Sequence, residues 1–80
     1  MKNFNTLSNI ANAIIDELQG VGAEFYAISF RTESARLQAT FNAEIVKYAV
    51  TNGYTIEVGE NGYIEYSKMI DGINIVIILT

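Results

Sequence analysis

The residues with the strongest claim to chemistry form two pairs, Glu57 with Glu65 and Arg31 with Arg36. Two neighbouring carboxylates can lift the pKa of one of them for acid–base work, or offer oxygen ligands to a hard cation. Two neighbouring guanidiniums repel each other and invite an anion. That anion can be a phosphate, an acidic patch on another protein, or one of Glu33, Glu57 and Glu65 in the same chain. No nucleophile or third group accompanies the glutamates, so solvated carboxylates and internal salt bridges are the better-supported roles. Histidine and cysteine are both absent. That removes the commonest general base, disulfides and thiolate zinc sites. Gly20-Val21-Gly22 follows a helical pattern, whereas a dinucleotide loop opens a helix, and no P-loop, triad or metal-ligand spacing occurs. The sequence therefore predicts no catalytic residue, no cofactor and no metal.

Whether Glu57 meets Glu65 depends on the hairpin between them. Tyr54 to Val58, Tyr63 to Ile70 and Ile73 to Thr80 read as three antiparallel strands, joined through Glu60-Asn61-Gly62 and Asp71-Gly72. Asn-Gly and Asp-Gly tolerate positive φ and are strong hairpin signals. A two-residue Asn61-Gly62 loop sets Val58 against Glu65; a three-residue loop sets Val58 against Ile64 and Ile56 against Tyr66. One residue of slip turns every side chain to the other face, so the three-residue loop is preferred, with Gly62 left-handed beside a bulge. The Asp71-Gly72 turn then pairs Tyr66 with Ile77 and Ile64 with Leu79. Tyr54, Ile56, Val58, Ile64, Tyr66, Ile75, Ile77 and Leu79 share the inner face. Thr55, Glu57, Tyr63, Glu65, Ser67, Met69, Val76 and Ile78 share the outer face, where Glu57 stands opposite Glu65.

The arginines need a second hairpin. Glu24 to Arg31 alternates, with Tyr26, Ile28 and Phe30 on one side, and Leu37, Ala39 and Phe41 alternate against Arg36, Gln38 and Thr40. A four-residue Thr32-Glu33-Ser34-Ala35 loop between them makes Arg31 and Arg36 direct neighbours; a rival reading is one helix from Glu33 to Asn52. Leu7, Ile10, Ala11, Ile14, Ile15 and Leu18 lie at the spacing of one helical face, predicting a helix from Thr6 to Gln19. Asn5 or Thr6 is its expected N-cap and Gly20 its left-handed end. Asn42 to Asn52 reads as a second helix, with Ile45, Val46, Ala49 and Val50 buried and Gly53 as its stop. The expected fold is α+β in the order αββαβββ, one domain spanning residues 1–80. Its two helices pack on one face of a five-stranded, largely antiparallel sheet, organised as two helix–hairpin units with one strand appended.

Composition narrows the function. The net charge of −4 argues against a phosphate-backbone binder, and 50% of the residues are hydrophobic while 18% are charged. So apolar a chain of 80 residues is expected to commit surface to a partner or to a second copy. Tyr63, Tyr26, Phe25 and Met69 form a candidate aromatic surface, set among Glu24 and Glu65 and so better suited to protein than to bases. No secretory leader or spanning segment is expected, and the cytoplasm is the expected location. The expectation is a small non-enzymatic protein-binding module without a membrane partner, with a homodimer as one form. Phage and mobile-element inhibitors that occlude a host protein surface have this general character. Tyr63, Glu57, Glu65, Met69, Val76, Ile78, Arg31 and Arg36 are its expected partner-binding residues. The alternatives are a nucleic-acid-associated factor using Arg31 and Arg36, or a small ligand-binding or enzymatic domain using Glu57 and Glu65.

Overall fold

Helix α1 (Phe4–Gln19) and helix α2 (Ala43–Thr51) end in the same way in the computed structural model, which describes residues 4–59 and 62–80. At the end of α1, Gly22 takes φ 90°, its N–H donates to Gln19 O, and Ala23 N–H donates to Leu18 O at 3.1 Å. At the end of α2, Gly53 takes φ 77°, its N–H donates to Val50 O, and Tyr54 N–H donates to Ala49 O at 2.9 Å. Each is a Schellman closure, in which a left-handed glycine lets the chain turn back and satisfy the orphan carbonyls of the last turn. Gly53 therefore stops α2 as expected. Gly20 does not have the left-handed role expected of it: its N–H still reaches Asp16 O at 3.2 Å, so the turn continues two residues further, to Gly22. The start of α1 also differs. Asn5 and Thr6, expected as caps, lie inside the helix, because nothing in Phe4-Asn5-Thr6 breaks helical geometry. In α2, Asn42 is the cap, its Oδ1 accepting from Glu44 N–H at 2.8 Å.

The strands are β1 (Phe25–Arg31), β2 (Ser34–Ala39), β3 (Thr55–Val58), β4 (Ile64–Ile70) and β5 (Ile73–Leu79), in spatial order β1-β2-β5-β4-β3. All neighbours are antiparallel except β2 and β5, which are parallel. Val58 pairs with Ile64, Ile56 with Tyr66 and Glu57 with Glu65, the register set by a three-residue loop. Gly62 has φ 79°, its N–H donates to Gly59 O, and Gly59 N–H donates to Tyr63 O at 2.7 Å, so a left-handed glycine closes the loop beside a bulge, as expected. Glu60 and Asn61 of that loop lie outside the described residues. At the next turn Asp71 (φ 51°) and Gly72 (φ 79°) both take positive φ, and Tyr66 pairs with Ile77 as expected.

The first hairpin exists, and residues 34–39 are strand, not helix. Its turn differs from expectation. Arg31 pairs with Ser34, so the loop is the two residues Thr32-Glu33 and not Thr32 to Ala35. Arg36 consequently faces Ser29 and stands diagonal to Arg31, not opposite it. A bulge between Phe25 and Ala27 sets Tyr26 out of register, so Phe25 joins Ile28 on the inner side, packed against the core, and Tyr26 does not.

The units α1-β1-β2 and α2-β3-β4 each put their first strand at a sheet edge and their second against β5. Since β2 runs with β5 and β4 against it, a half-turn about an axis through β5, normal to the sheet, carries one unit onto the other. Both helices lie on one face. Leu7, Ala11, Ile14, Ile15 and Leu18 of α1, with Ile45 and Ala49 of α2, form one cluster with Leu37, Tyr66, Ile75, Ile77 and Leu79. Each fully buried aliphatic side chain here contributes about 1.5–3 kcal/mol. Val46 sits at the margin of that cluster, whereas Val50, expected inside, is 57% exposed. The buried stripe of so short a helix is narrow, and two helix rows about 10 Å apart leave the edges of five strands spaced about 4.8 Å partly bare.

Candidate functional site

Every residue expected to meet a partner lies on, or borders, the helix-free face of the sheet. Residues opposite one another share a face. Arg31 and Ser29 of β1, Arg36 and Gln38 of β2, Val76 and Ile78 of β5, Glu65, Ser67 and Met69 of β4 and Glu57 of β3 follow one another across it. Tyr63 precedes β4 on the same side. The structure thus gathers all eight on one surface, but not with equal exposure.

Val76 and Ile78 are 7% and 4% exposed. They belong to the central strand, where Arg36 and Ser67 flank Val76, and Gln38 and Glu65 flank Ile78. Arg36 Nη2 reaches Glu65 Oε1 at 3.9 Å, and because β5 separates their strands the pair spans the outer side of β5. The aliphatic stems of these long side chains cover apolar neighbours while their heads stay wet. The two side chains are therefore not an open apolar contact. Glu65 engages an arginine of the other hairpin, one of the internal partners expected for Arg36. At this distance and exposure such a pair contributes little, about 0–1 kcal/mol. Glu57, opposite Glu65, and Arg31 are both exposed, as are Tyr63 at 44% and Met69 at 62%. Tyr26 is exposed as well, its hydroxyl hydrogen-bonded to Thr80 Oγ1, while Phe25 is half-buried. The four-membered aromatic surface is thus divided between the bulge and β4.

The sequence did not single out the cluster of α2 and the core at Tyr48, Tyr54 and Lys68. Lys68 Nζ donates to Asn52 O at 2.7 Å and lies 5.8 Å from the centre of the Tyr54 ring, which is 6.1 Å from the Tyr48 ring. The lysine satisfies a carbonyl at the helix end and ties α2 to β4. Burial pushes the Tyr48 hydroxyl well above its ordinary range, and Glu17 and Tyr54 add to the rise. Burial raises Tyr54 too, with Tyr48 opposing and Glu17 reinforcing the shift. Among the described residues, the Tyr54 hydroxyl is the buried side-chain polar atom left without a hydrogen bond. Residues 48, 54 and 68 share no sequence motif; only the α2 crossover brings them together.

A hollow of about 160 Å³ lies where the chain leaves β2 for α2, lined by Gly22, Glu24, Thr40, Phe41 and Asn42, and it includes none of the eight expected residues. Among the described residues no three carboxylates gather as a metal site, and no helix is long and apolar enough to cross a membrane. The chain is an α+β protein with a mixed, mostly antiparallel sheet bare of helices on one face. No family model, no curated protein and no solved structure matches it.

Proposed function

We propose that the chain is a small non-enzymatic protein-binding module that docks through the helix-free side and the rims of its sheet. One observation carries this reading. Among the described residues ten large hydrophobic side chains are at least 36% exposed, and most of them fall on the sheet's rims and open face, not singly around the molecule. Ile56 and Val58 mark one rim, Tyr26, Ile28 and Phe30 the other, and Tyr63 and Met69 the open face. Grouped exposed apolar side chains are typical of protein contacts. Here charge lies between them: the Arg36–Glu65 pair crosses the middle of the open face, and Arg31 and Glu57 stand toward its two edges. Docking would act by occlusion, masking a surface of the partner, as small inhibitors do.

The test is a comparison of captures from source cells with the wild-type chain and with a Tyr63→Ala/Met69→Ala variant of unchanged circular dichroism. A single protein retained by the first and lost by the second, and bound in the same order when purified, supports the reading. Equal retention by both variants, or saturable turnover of a substrate abolished by Glu57→Gln, overturns it.

A further inference from the structure

The two edges of the sheet are complementary to each other, and we propose that β3 of one copy pairs antiparallel with β1 of the next, so that copies associate head to tail. This goes beyond the docking face proposed above, because it uses the sheet edges and needs no other protein. The two can fail separately.

The hydrogen-bond phase of both edges supports it. Gly59 N–H donates to Tyr63 O, so in β3 the residues paired in the same phase, Glu57 and Thr55, direct their backbone groups at β4. Ile56 and Val58 direct theirs at the edge. Along β2, Glu33 O just before the strand accepts from Asn74 N–H and Ala39 O from Thr80 N–H, so odd-numbered residues face β5 and even-numbered ones face β1. Ser34, Arg36 and Gln38 therefore bond Arg31, Ser29 and Ala27, and the backbone groups of Ile28 point to the opposite edge. Because β1 and β3 bound the sheet and run in opposite directions, a copy displaced sideways brings them together antiparallel with the helices on the same side.

Side chains then select the pairing. Setting Val58 against Ile28 of the next copy joins side chains that are 72% and 45% exposed, on the helix side. The same register places Glu57 opposite Ser29 of that copy and diagonal to its Arg31, within reach of a long side chain on the outer side. Glu57 and Arg31 are both exposed, and neither makes an ion pair among the described residues. Of the symmetric in-phase registers of β3 against β3, the one centred on Glu57 puts it opposite its own counterpart and is repelled, and those centred on Ile56 or Val58 set it diagonal to that counterpart, with no cation beside it. Pairing β1 against β1 leaves both β3 edges with unpaired backbone groups. Head-to-tail contacts do not close on themselves at two copies, so assembly proceeds beyond the dimer.

Sedimentation velocity of the full chain over a wide concentration range is the test. The expected result is a mass that grows past two copies as concentration rises. Glu57→Arg and Arg31→Glu each weaken association roughly tenfold with circular dichroism unchanged, and the two together restore it. A monomer throughout overturns the proposal. So does a limiting dimer indifferent to Glu57, which would be β1 against β1, or one strengthened by Glu57→Gln, which would be β3 against β3.

Discussion

Among the described residues the Tyr54 hydroxyl is buried and makes no hydrogen bond of ordinary geometry, with Tyr48 as its polar neighbour. An unsatisfied buried hydroxyl costs on the order of 1–3 kcal/mol, so Tyr54→Phe is expected to raise stability by about 1 kcal/mol, measured by urea denaturation. The same residue sets an alkaline limit. Both Tyr48 and Tyr54 have pKa values raised above the ordinary 10.0, so the fold favours the neutral phenols. Their contribution is complete below the unfolded value and is lost as pH rises through the folded one. The thermal midpoint should therefore fall from about pH 10 upward, less steeply in Tyr54→Phe than in the wild type. Gly62 offers a separate test. Its φ is 79° and, among the described residues, nothing lies within 4 Å of an added Cβ, so the cost of Gly62→Val is backbone strain. A loss of more than about 1 kcal/mol is expected, and an unchanged denaturation midpoint would count against the bulged turn. Residue faces in the last three strands were legible in the sequence because a slip of one residue at Asn61-Gly62 reverses them. The unpaired hydroxyl was not, since a sequence carries no record of which groups meet it.

Helices and strands announced themselves through their periods, and their ends were harder to read. The Thr32-Glu33 turn shows why. Loops of two and four residues differ by an even shift in register, so Ile28, Phe30, Leu37 and Ala39 keep their faces under either, and alternation cannot choose between them. At Asn61-Gly62 the rival loops differed by an odd shift, and alternation did choose. Gly20 and Gly22 are a similar ambiguity: both glycines can end a helix, and the Ala23-to-Leu18 hydrogen bond selects the later one. The tyrosine bulge in β1 leaves no sequence signal, and neither does the parallel pairing of β2 with β5, because alternation fixes the face of a strand and not its neighbour. The cap of α2 was only implicit, since Asn42 opened the predicted segment, and it can be tested directly. Asn42→Ala removes the Oδ1 acceptor of Glu44 N–H and should cost about 1 kcal/mol in the denaturation midpoint, with Asn42→Asp close to neutral. An equal loss in both variants would assign the effect to packing against the loop and not to capping.

At the scale of the whole molecule, β5 lies at the centre of the fold. It sits on the approximate two-fold axis between the helix–hairpin units and carries Ile75, Ile77 and Leu79 into the core on one side. On the other side Val76 and Ile78 have no helix above them, yet they are closed over by the side chains of β2 and β4. Sequence alone could not separate an apolar strand at an interface from one at the middle of a sheet, because both read as apolar on two faces. The order β1-β2-β5-β4-β3 separates them. A carboxylate at either position would displace the Arg36–Glu65 cover or remain buried without a partner, and Glu65 already stands beside Ile78. An unpaired buried charge costs several kcal/mol, comparable to the roughly 3–5 kcal/mol that a core of this size supplies. Val76→Glu with Ile78→Glu is therefore expected to give an unfolded chain by circular dichroism, and Val76→Ala a folded one with its midpoint lowered by about 1–2 kcal/mol. If the double variant instead folds normally and changes only what the protein binds, Val76 and Ile78 form a contact surface after all, and the side chains of β2 and β4 part to expose them.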